Sequence, residues 1–311
     1  MKIKFNSGVI KGGCGLLAGM LVPGIVHACA CGCGVFEVGT SSMFPTGEGG
    51  TAYFGYAYQD QSRNWNGTSQ APAADNEDKQ IRTDFFDVGI QYLFNRSWGA
   101  QLQVPFAYRY FKVEDAGKNL STSWGSLGDL RVEGIYTGFS SDLSSGVTFG
   151  LKLPTGNDNY NPAVVDRDTQ IGSGSTDILL GGFHRNSFTQ DMKWDWFTQL
   201  QLDVPVLIQA GYRPGVELNT SAGLDYKGWS LGGMNISPVA QAIVSYRSSD
   251  SGDASASEDS GYERLLLAPG VEFSMHPVKI YADVELPVFQ NVNGNQLVAP
   301  VLVKVNVSYM F

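Results

Sequence analysis

After residue 33 the chain contains no cysteine, and its 311 residues include only three histidines. A body without cysteines cannot rest on a disulfide framework, even in an oxidising compartment. Basic residues are also few: 21 Lys and Arg against 30 Asp and Glu. That balance argues against a nucleic-acid partner, whose phosphates need basic patches. Beyond the first thirty residues no apolar run is long enough for a transmembrane helix, and no stretch holds a sustained 3.6-residue period. The chain's one G-x-S-x-G, "GWSLG" at 228–232, falls at a short connection with no helical pattern after it, so it lacks the strand-to-helix setting of a nucleophile elbow. His184, Asp191 and Ser187 lie near one another in sequence, but at no spacing that points to a triad. These absences set aside helical membrane proteins and disulfide scaffolds, and the expectation is a protein that is not an enzyme.

What is present begins at the N-terminus, "MKIKFNSGVIKGGCGLLAGMLVPGIVHACA". Lys2, Lys4 and Lys11 precede an apolar, glycine-interrupted stretch, and small residues follow at Ala28 and Ala30. This is the form of a secretory signal peptide. Two cleavage points are available, one after Ala30 and one before Cys29, the second resembling a lipoprotein signal. Removing residues 1–30 takes three lysines and no acids, which shifts the formal charge from −9 to −12. The expected organisation is a signal at 1–30, a cysteine-containing periplasmic segment at 31–50 that is a candidate plug, and a β-barrel over 51–311.

The body is written in period two. "VLVKVNVSYMF" at the C-terminus sets Val301, Val303, Val305, Val307, Tyr309 and Phe311 against Leu302, Lys304, Asn306, Ser308 and Met310. "AQLQVPFAYRYF", "FTQLQLDVPV", "IYADVELPV" and "GDLRVEGIY" alternate in the same way. Such alternation marks strands with one apolar and one wetter face. In a membrane barrel the wetter set points to the lumen and the apolar set to lipid; in a soluble barrel or sandwich the directions invert. Twelve strands are expected, at 51–62, 82–94, 97–111, 127–139, 145–155, 175–186, 193–206, 212–226, 229–247, 262–275, 278–289 and 297–311.

The connections differ in length. Those at 63–81, 112–126, 156–174 and 248–261 are long and polar, whereas those near 95–97, 227–229 and 275–277 are short; two connections at the long-loop rim, near 207–211 and 290–296, are short as well. Long loops at one rim and short turns at the other are the habit of membrane barrels. Tyr92, Phe94, Trp98, Trp194, Trp196, Trp229, Tyr309 and Phe311 suit interfacial anchoring. A last strand closing on Phe311 resembles the C-terminal assembly signal of bacterial outer-membrane barrels. The fold class expected is all-β: a transmembrane antiparallel outer-membrane β-barrel of about 12 strands.

Three phrases in the middle third, "GSLGDLRVEGIY" (125–136), "GVTFGLKLPTG" (146–156) and "GSGSTDILLGG" (172–182), follow one another in an order that resembles the outer-membrane β-barrel family described by a MetA pathway of phenol degradation. The resemblance covers roughly 50–311. It implies a transporter-like barrel for small organic compounds and supplies no catalytic set. Parity alone nominates the lumenal side chains: Asp87, Gln103, Asp129, Arg131, Glu133, Lys152, Asp177, Gln199, Gln201, Asp203, Asp283, Glu285 and Lys304. Acids outnumber bases among them, so an open pore would favour cations or neutral polar solutes.

The expected partners are outer-membrane lipid, the barrel-assembly machinery and small solutes, with no cofactor. The alternative roles are an anchor or partner in a periplasmic metal, redox or envelope assembly through the N-terminal cysteines and, behind that, an outer-membrane enzyme. Cys29, Cys31 and Cys33 in "CACGCGVF" have the softness a Cu(I) site needs, but no zinc-type second cluster follows them. Cleavage before Cys31 would leave only two of the three.

Overall fold

The computed structural model describes residues 44–45, 47–252 and 255–311. Strands lie in chain order as β1 (Gly49–Gln61), β2 (Arg63–Gly67), β3 (Ser69–Gln70), β4 (Gln80–Leu93), β5 (Trp98–Asp115), β6 (Lys118–Leu127), β7 (Leu130–Tyr136) and β8 (Ser145–Leu153). They continue as β9 (Ser175–Ser187), β10 (Trp194–Ile208), β11 (Glu217–Tyr226), β12 (Trp229–Leu231), β13 (Met234–Arg247), β14 (Tyr262–Met275), β15 (Val278–Val298) and β16 (Leu302–Met310).

All sixteen belong to one antiparallel sheet. Twelve staves close it into a barrel: β1, β4, β5, the broken stave β6–β7, β8, β9, β10, β11, β13, β14, β15 and β16. Closure is the β1–β16 ladder, from Thr51 opposite Met310 to Gln59 opposite Leu302. Gly50 and Phe311 then exchange two backbone hydrogen bonds of 2.8 Å beyond the last ladder pair. Full closure leaves the first and last strands with no free edge, which open sheets must otherwise protect.

The direction of the alternation decides the solvent. Inward positions are polar and buried, outward ones apolar and bare. Asp87 has no exposed surface while Val88, beside it on β4, is 54% exposed. On β16, Lys304, Asn306 and Ser308 are buried while Val307 and Tyr309 are exposed. A soluble barrel would carry the reverse arrangement, because about 25 cal/mol is lost for each Å² of apolar surface left in water. The outward band therefore faces lipid. At one rim it ends in exposed rings of Tyr92, Phe94, Trp98, Trp194, Trp229, Tyr309 and Phe311. Several of these rings pack in pairs, with Trp98 and Tyr136 4.8 Å apart and Trp194 and Tyr226 4.9 Å apart. Trp196 packs instead against His184, with the rings tilted 56°.

Several expected boundaries move, and most lie beyond the lipid. Residues 112–126 are not a loop: β5 runs to Asp115, turns at Ala116–Gly117 and returns as β6. Outside the bilayer a stave needs no apolar row, so "KNLSTS" reads as a loop while pairing as a strand. The stretch 290–296, expected as a connection, continues β15 and pairs with β2. The interval 63–81 carries β2, β3 and a 3-10 turn at Ala73–Asn76. Strand 212–226 starts only at Glu217, past Pro214, and strand 297–311 only at Leu302, past Pro300. Strand 229–247 divides into β12 and β13 at Gly232 and Gly233, both at positive φ.

Val88→Arg separates a lipid-facing wall from a water-facing one. In lipid the substitution should destabilise the barrel by about 2–4 kcal/mol, read as a lower denaturant midpoint of the heat-modifiable band. At a water-exposed site it would change stability by less than about 0.5 kcal/mol.

Candidate functional site

The inner wall holds two polar networks on opposite sides of the barrel. The first crosses six neighbouring staves. Gln103 of β5 donates to Asp87 of β4 at 2.9 Å and lies opposite Arg131 of β7 in the ladder. Arg131 grips Asp203 of β10 with both terminal nitrogens, at 3.0 and 3.2 Å. Between them Lys152 of β8 and Asp177 of β9 form an ion pair. Gln201 donates to Asp203 at 3.2 Å, and Ser175 donates to Asp177. The arginine thus reaches across two staves, β8 and β9. Buried pairs of this kind are costly to break, about 3–5 kcal/mol when one partner is removed.

The second network joins β13, β15 and β16. Tyr281 Oη donates to Asp283 at 2.7 Å, and Gln241 donates to Tyr281 Oη and Asp283 at 2.8 and 3.1 Å. Lys304 pairs with Glu285 at 2.8 Å. Lys304 and Tyr281 are wholly buried, so no water-wide passage runs along these side chains in this conformation.

The outer half of the lumen is occupied by the chain itself. Residues 154–174 turn inward rather than outward. Val165 and Thr169 are buried, Val165 in a cluster with Ile81, Phe111, Trp124 and Leu297 from the wall. Tyr160 stacks on Trp124 at 4.8 Å and shares a hydrogen bond with Thr122. Arg109 donates to the Thr169 and Gln170 carbonyls, and Arg167 lies over the Tyr212 ring at 4.3 Å. From the rim, Lys79 pairs with Asp166 and Glu77, each at 3.0 Å. Burial lowers the Lys79 pKa, but the two carboxylates outweigh it and hold the amine above its ordinary value.

One carboxylate anchors both ends of this loop. Asp129, at the break between β6 and β7, accepts from Gly156 N–H at 3.0 Å, from Ser173 N–H at 2.8 Å and from the Ser173 hydroxyl. Thr155 adds a bridge, accepting from Leu130 N–H and donating to the Gly128 carbonyl. Gly156 and Gly172 cross so closely that a Cβ on Gly172 would lie 2.4 Å from the Gly156 backbone. The three middle-third phrases thus meet at one point: "GD" from the first, "LPTG" from the second and "GSGS" from the third.

Between loop and wall lies a cavity of about 150 Å³. Phe85, Pro105, Ala107, Ile171 and Pro214 give it apolar walls. Arg109, Arg131, Lys152, Arg167 and Arg247 face Asp129, Asp168, Asp177, Asp203 and Glu217 across it. At the opposite end Phe44 enters the lumen, 5.1 Å from the Phe183 ring and 5.8 Å from Phe197, and Arg185 donates to the Pro45 carbonyl at 2.8 Å.

Of the parity-nominated residues, Asp87, Gln103, Arg131, Glu133, Lys152, Asp177, Gln201 and Asp203 lie on the inner wall near the first network; Asp129 holds the loop; Asp283, Glu285 and Lys304 form the second. Gln199 is half-buried on the same inward row of β10 as Gln201. Arg109, Glu217 and Arg247 were missed, although each continues a row already assigned or implied by period two; Arg167 and Phe44 lie outside strands and leave no such signal. Of the triad-like set, His184 bonds to the Ser145 hydroxyl at 2.7 Å, Ser187 donates to Asp195, and Asp191 sits on an exposed turn. Cys29, Cys31 and Cys33 lie outside the described residues; among those described, no group of three or more metal-ligating side chains converges.

A closed twelve-stave wall, bare to lipid and polar within, defines a bacterial outer-membrane β-barrel, here with an inward loop. An outer-membrane channel from Pseudomonas putida F1 is 12% identical to this chain, with a TM-score of 0.64 over 88% of it and all of that protein. The beta domain of the Bordetella autotransporter BrkA is also 12% identical, with a TM-score of 0.50 over 85% of this chain and all of that domain. At these identities the likeness is one of fold. No family model matches the chain and no curated protein does, so beyond the three phrases nothing ties it to a phenol-degradation family.

Asp129→Ala should release the loop while leaving the barrel folded, since the residue sits at a strand break. Each lost bond to a charged acceptor is worth about 1.5–3 kcal/mol, so mean conductance in planar bilayers should rise severalfold. Asp129→Asn, which retains one acceptor oxygen, should fall between the two.

Proposed function

We propose that the protein is an outer-membrane channel, transporter-like, that passes small solutes or small organic compounds. The observation that carries this reading is the cavity of about 150 Å³ between the inner wall and the loop, part apolar and part charged. A space walled by both apolar and charged side chains is more than a purely structural barrel requires. The size and mixed lining suit a small organic solute with one polar end. The resemblance in the middle third makes a monocyclic phenol the first solute to assay.

Inward acids outnumber inward bases. Asp177, Asp203 and Glu285 are neutralised by Lys152, Arg131 and Lys304. Asp87 and Asp283 are held by neutral donors, Gln103 for the first and Tyr281 with Gln241 for the second. An open pore along them would carry a mild cation preference, weaker than the raw excess of acids suggests. At the cavity the acidic and basic side chains are matched.

The domain reading is an export signal at 1–30, a segment at 31–50 acting as a plug, and the barrel at 51–311. Phe44 between Phe183 and Phe197 supports the plug, and an aromatic contact of this kind is worth about 0.5–1.5 kcal/mol beyond its burial. That is weak enough for the plug to exchange.

In planar bilayers under a KCl gradient, the reversal potential should show a cation preference that Asp87→Asn with Asp283→Asn brings close to none. Anion preference in the wild type, or no effect of the two substitutions, would remove the acidic-lumen part of the proposal; no channel activity at all would remove the whole.

A further inference from the structure

The inward loop borders two chambers. One is the cavity of about 150 Å³ against the wall. The other, of about 210 Å³, lies between the inward loop and the outer loop that carries Ala256, and is lined by Asp158, Asn159, Pro162 and Asp166. Arg167, Asp168 and Gln170 line both, so the chambers meet at these three side chains.

The three are held unequally. Gln170 is tied back into the loop: its Oε1 accepts from Tyr160 N–H at 2.7 Å, and its amide donates to the Tyr160 carbonyl at 2.9 Å. Asp168 carries its carboxylate on a single methylene and has little reach. Arg167 is long, and its guanidinium lies across the boundary. It donates at 3.2 Å to Asp158, which lines the outer chamber alone. It also donates at 2.7 Å to the Ser173 carbonyl and rests 4.3 Å from the centre of the Tyr212 ring, and these two residues line the cavity alone. Gly174 keeps the crossing clear, since a Cβ there would fall 2.5 Å from both Arg167 Nη2 and Asp158 Oδ2. Tyr212 is a fixed platform: it is buried, and its hydroxyl donates at 2.6 Å to Asp250, which also accepts from Arg247 and Gly215 N–H.

The Arg167 side chain can leave this position while the loop stays. The two side chains of its ion pair are 16% and 24% exposed, so water and salt screen the attraction. Its Nε–H has no acceptor among the described residues. The loop backbone is held separately, by the three donors to Asp129.

We propose that Arg167 is the bolt between the two chambers: its side chain swings off Asp158 and Tyr212 to join them, and the loop remains docked. The proposal rests on the channel reading above and deepens it, because it names the side chain that controls passage of a small solute from the outer mouth to the cavity. Passage then requires a rotamer change in one residue and leaves the Asp129 clamp intact.

The test uses cysteine reporters made one at a time: Ala256→Cys in the outer chamber, Ala107→Cys in the cavity and Val113→Cys in the cluster with Val165. Intact cells are pulsed with a membrane-impermeant quaternary-ammonium methanethiosulfonate, and labelling at each position is read by peptide mass spectrometry. With Arg167 in place, position 107 should react at least tenfold more slowly than position 256. Arg167→Ala should accelerate position 107 at least tenfold, leave position 256 within twofold and leave position 113 unreactive. Arg167→Lys, which keeps the charge but lacks the planar fork, and Asp158→Asn should act in the same direction with smaller effects. Heat-modifiable mobility checks that each variant folds. The bolt is overturned if positions 107 and 256 react alike with Arg167 in place, if Arg167→Ala leaves position 107 unchanged, or if positions 107 and 113 accelerate together, which would mean that the whole loop departs. Absence of conductance in planar bilayers from both the wild type and Arg167→Ala would instead remove the channel reading, and the bolt with it.

Discussion

The Asp129 carboxylate is the constraint on which the interior depends. It is one side chain at a break in one stave, yet it receives donors from both ends of a loop that enters the lumen between residues 154 and 174. Without it the two ends of the loop would lose their common anchor, and the loop would be left to Arg109, Lys79, Thr155 and the cluster of Val165 with Phe111 and Trp124. The loop in turn makes the cavity, since one side of that space is Ile171, Gly172 and Ser173. The strand break, the clamp, the loop and the cavity therefore stand or fall together. The β1–β16 closure of the barrel involves none of them.

The polar core imposes a different economy. A water-soluble fold gains stability by removing apolar area from water, whereas here the apolar area faces lipid and the interior must be stabilised by pairing. Lys152 with Asp177 and Lys304 with Glu285 meet that need between neighbouring staves, and Arg131 with Asp203 does so between staves 72 residues apart in sequence. Such pairs specify register, because a one-residue slip would turn each charge into lipid. The inner wall is thus both the stabilising element and the surface that a solute would meet, with the loop across its outer end and Phe44, the more weakly held of the two, at the other.

Much of this was legible in the chain. The alternation of "VLVKVNVSYMF" gave the last stave and the inward position of Lys304, and the same parity placed Asp87, Gln103, Arg131 and Asp203 on the inner row. Legibility failed where lipid no longer imposes a period. Residues 112–126 lie beyond the bilayer, so the outward face is polar and only Val113, Leu120 and Trp124 on the inward side carry the strand pattern, though the backbone still pairs. The loop at 156–174 has the composition of an outer loop, and its inward path is decided by contacts that no local pattern encodes. Asp129 and Ser173 are 44 residues apart, and the phrases containing them read separately as strand ends. Arg109 and Glu217 were within reach of the same parity rule.

The account turns on the claim that an intact barrel is held shut on its outer side by a loop clamped to Asp129. The most direct measurement is single-channel recording of a protein in which residues 157–171 are replaced by a short Gly-Ser linker. The account predicts a folded, heat-modifiable barrel whose unitary conductance is several times that of the wild type. A folded barrel with unchanged conductance would show that the loop does not close the pore, and would contradict it.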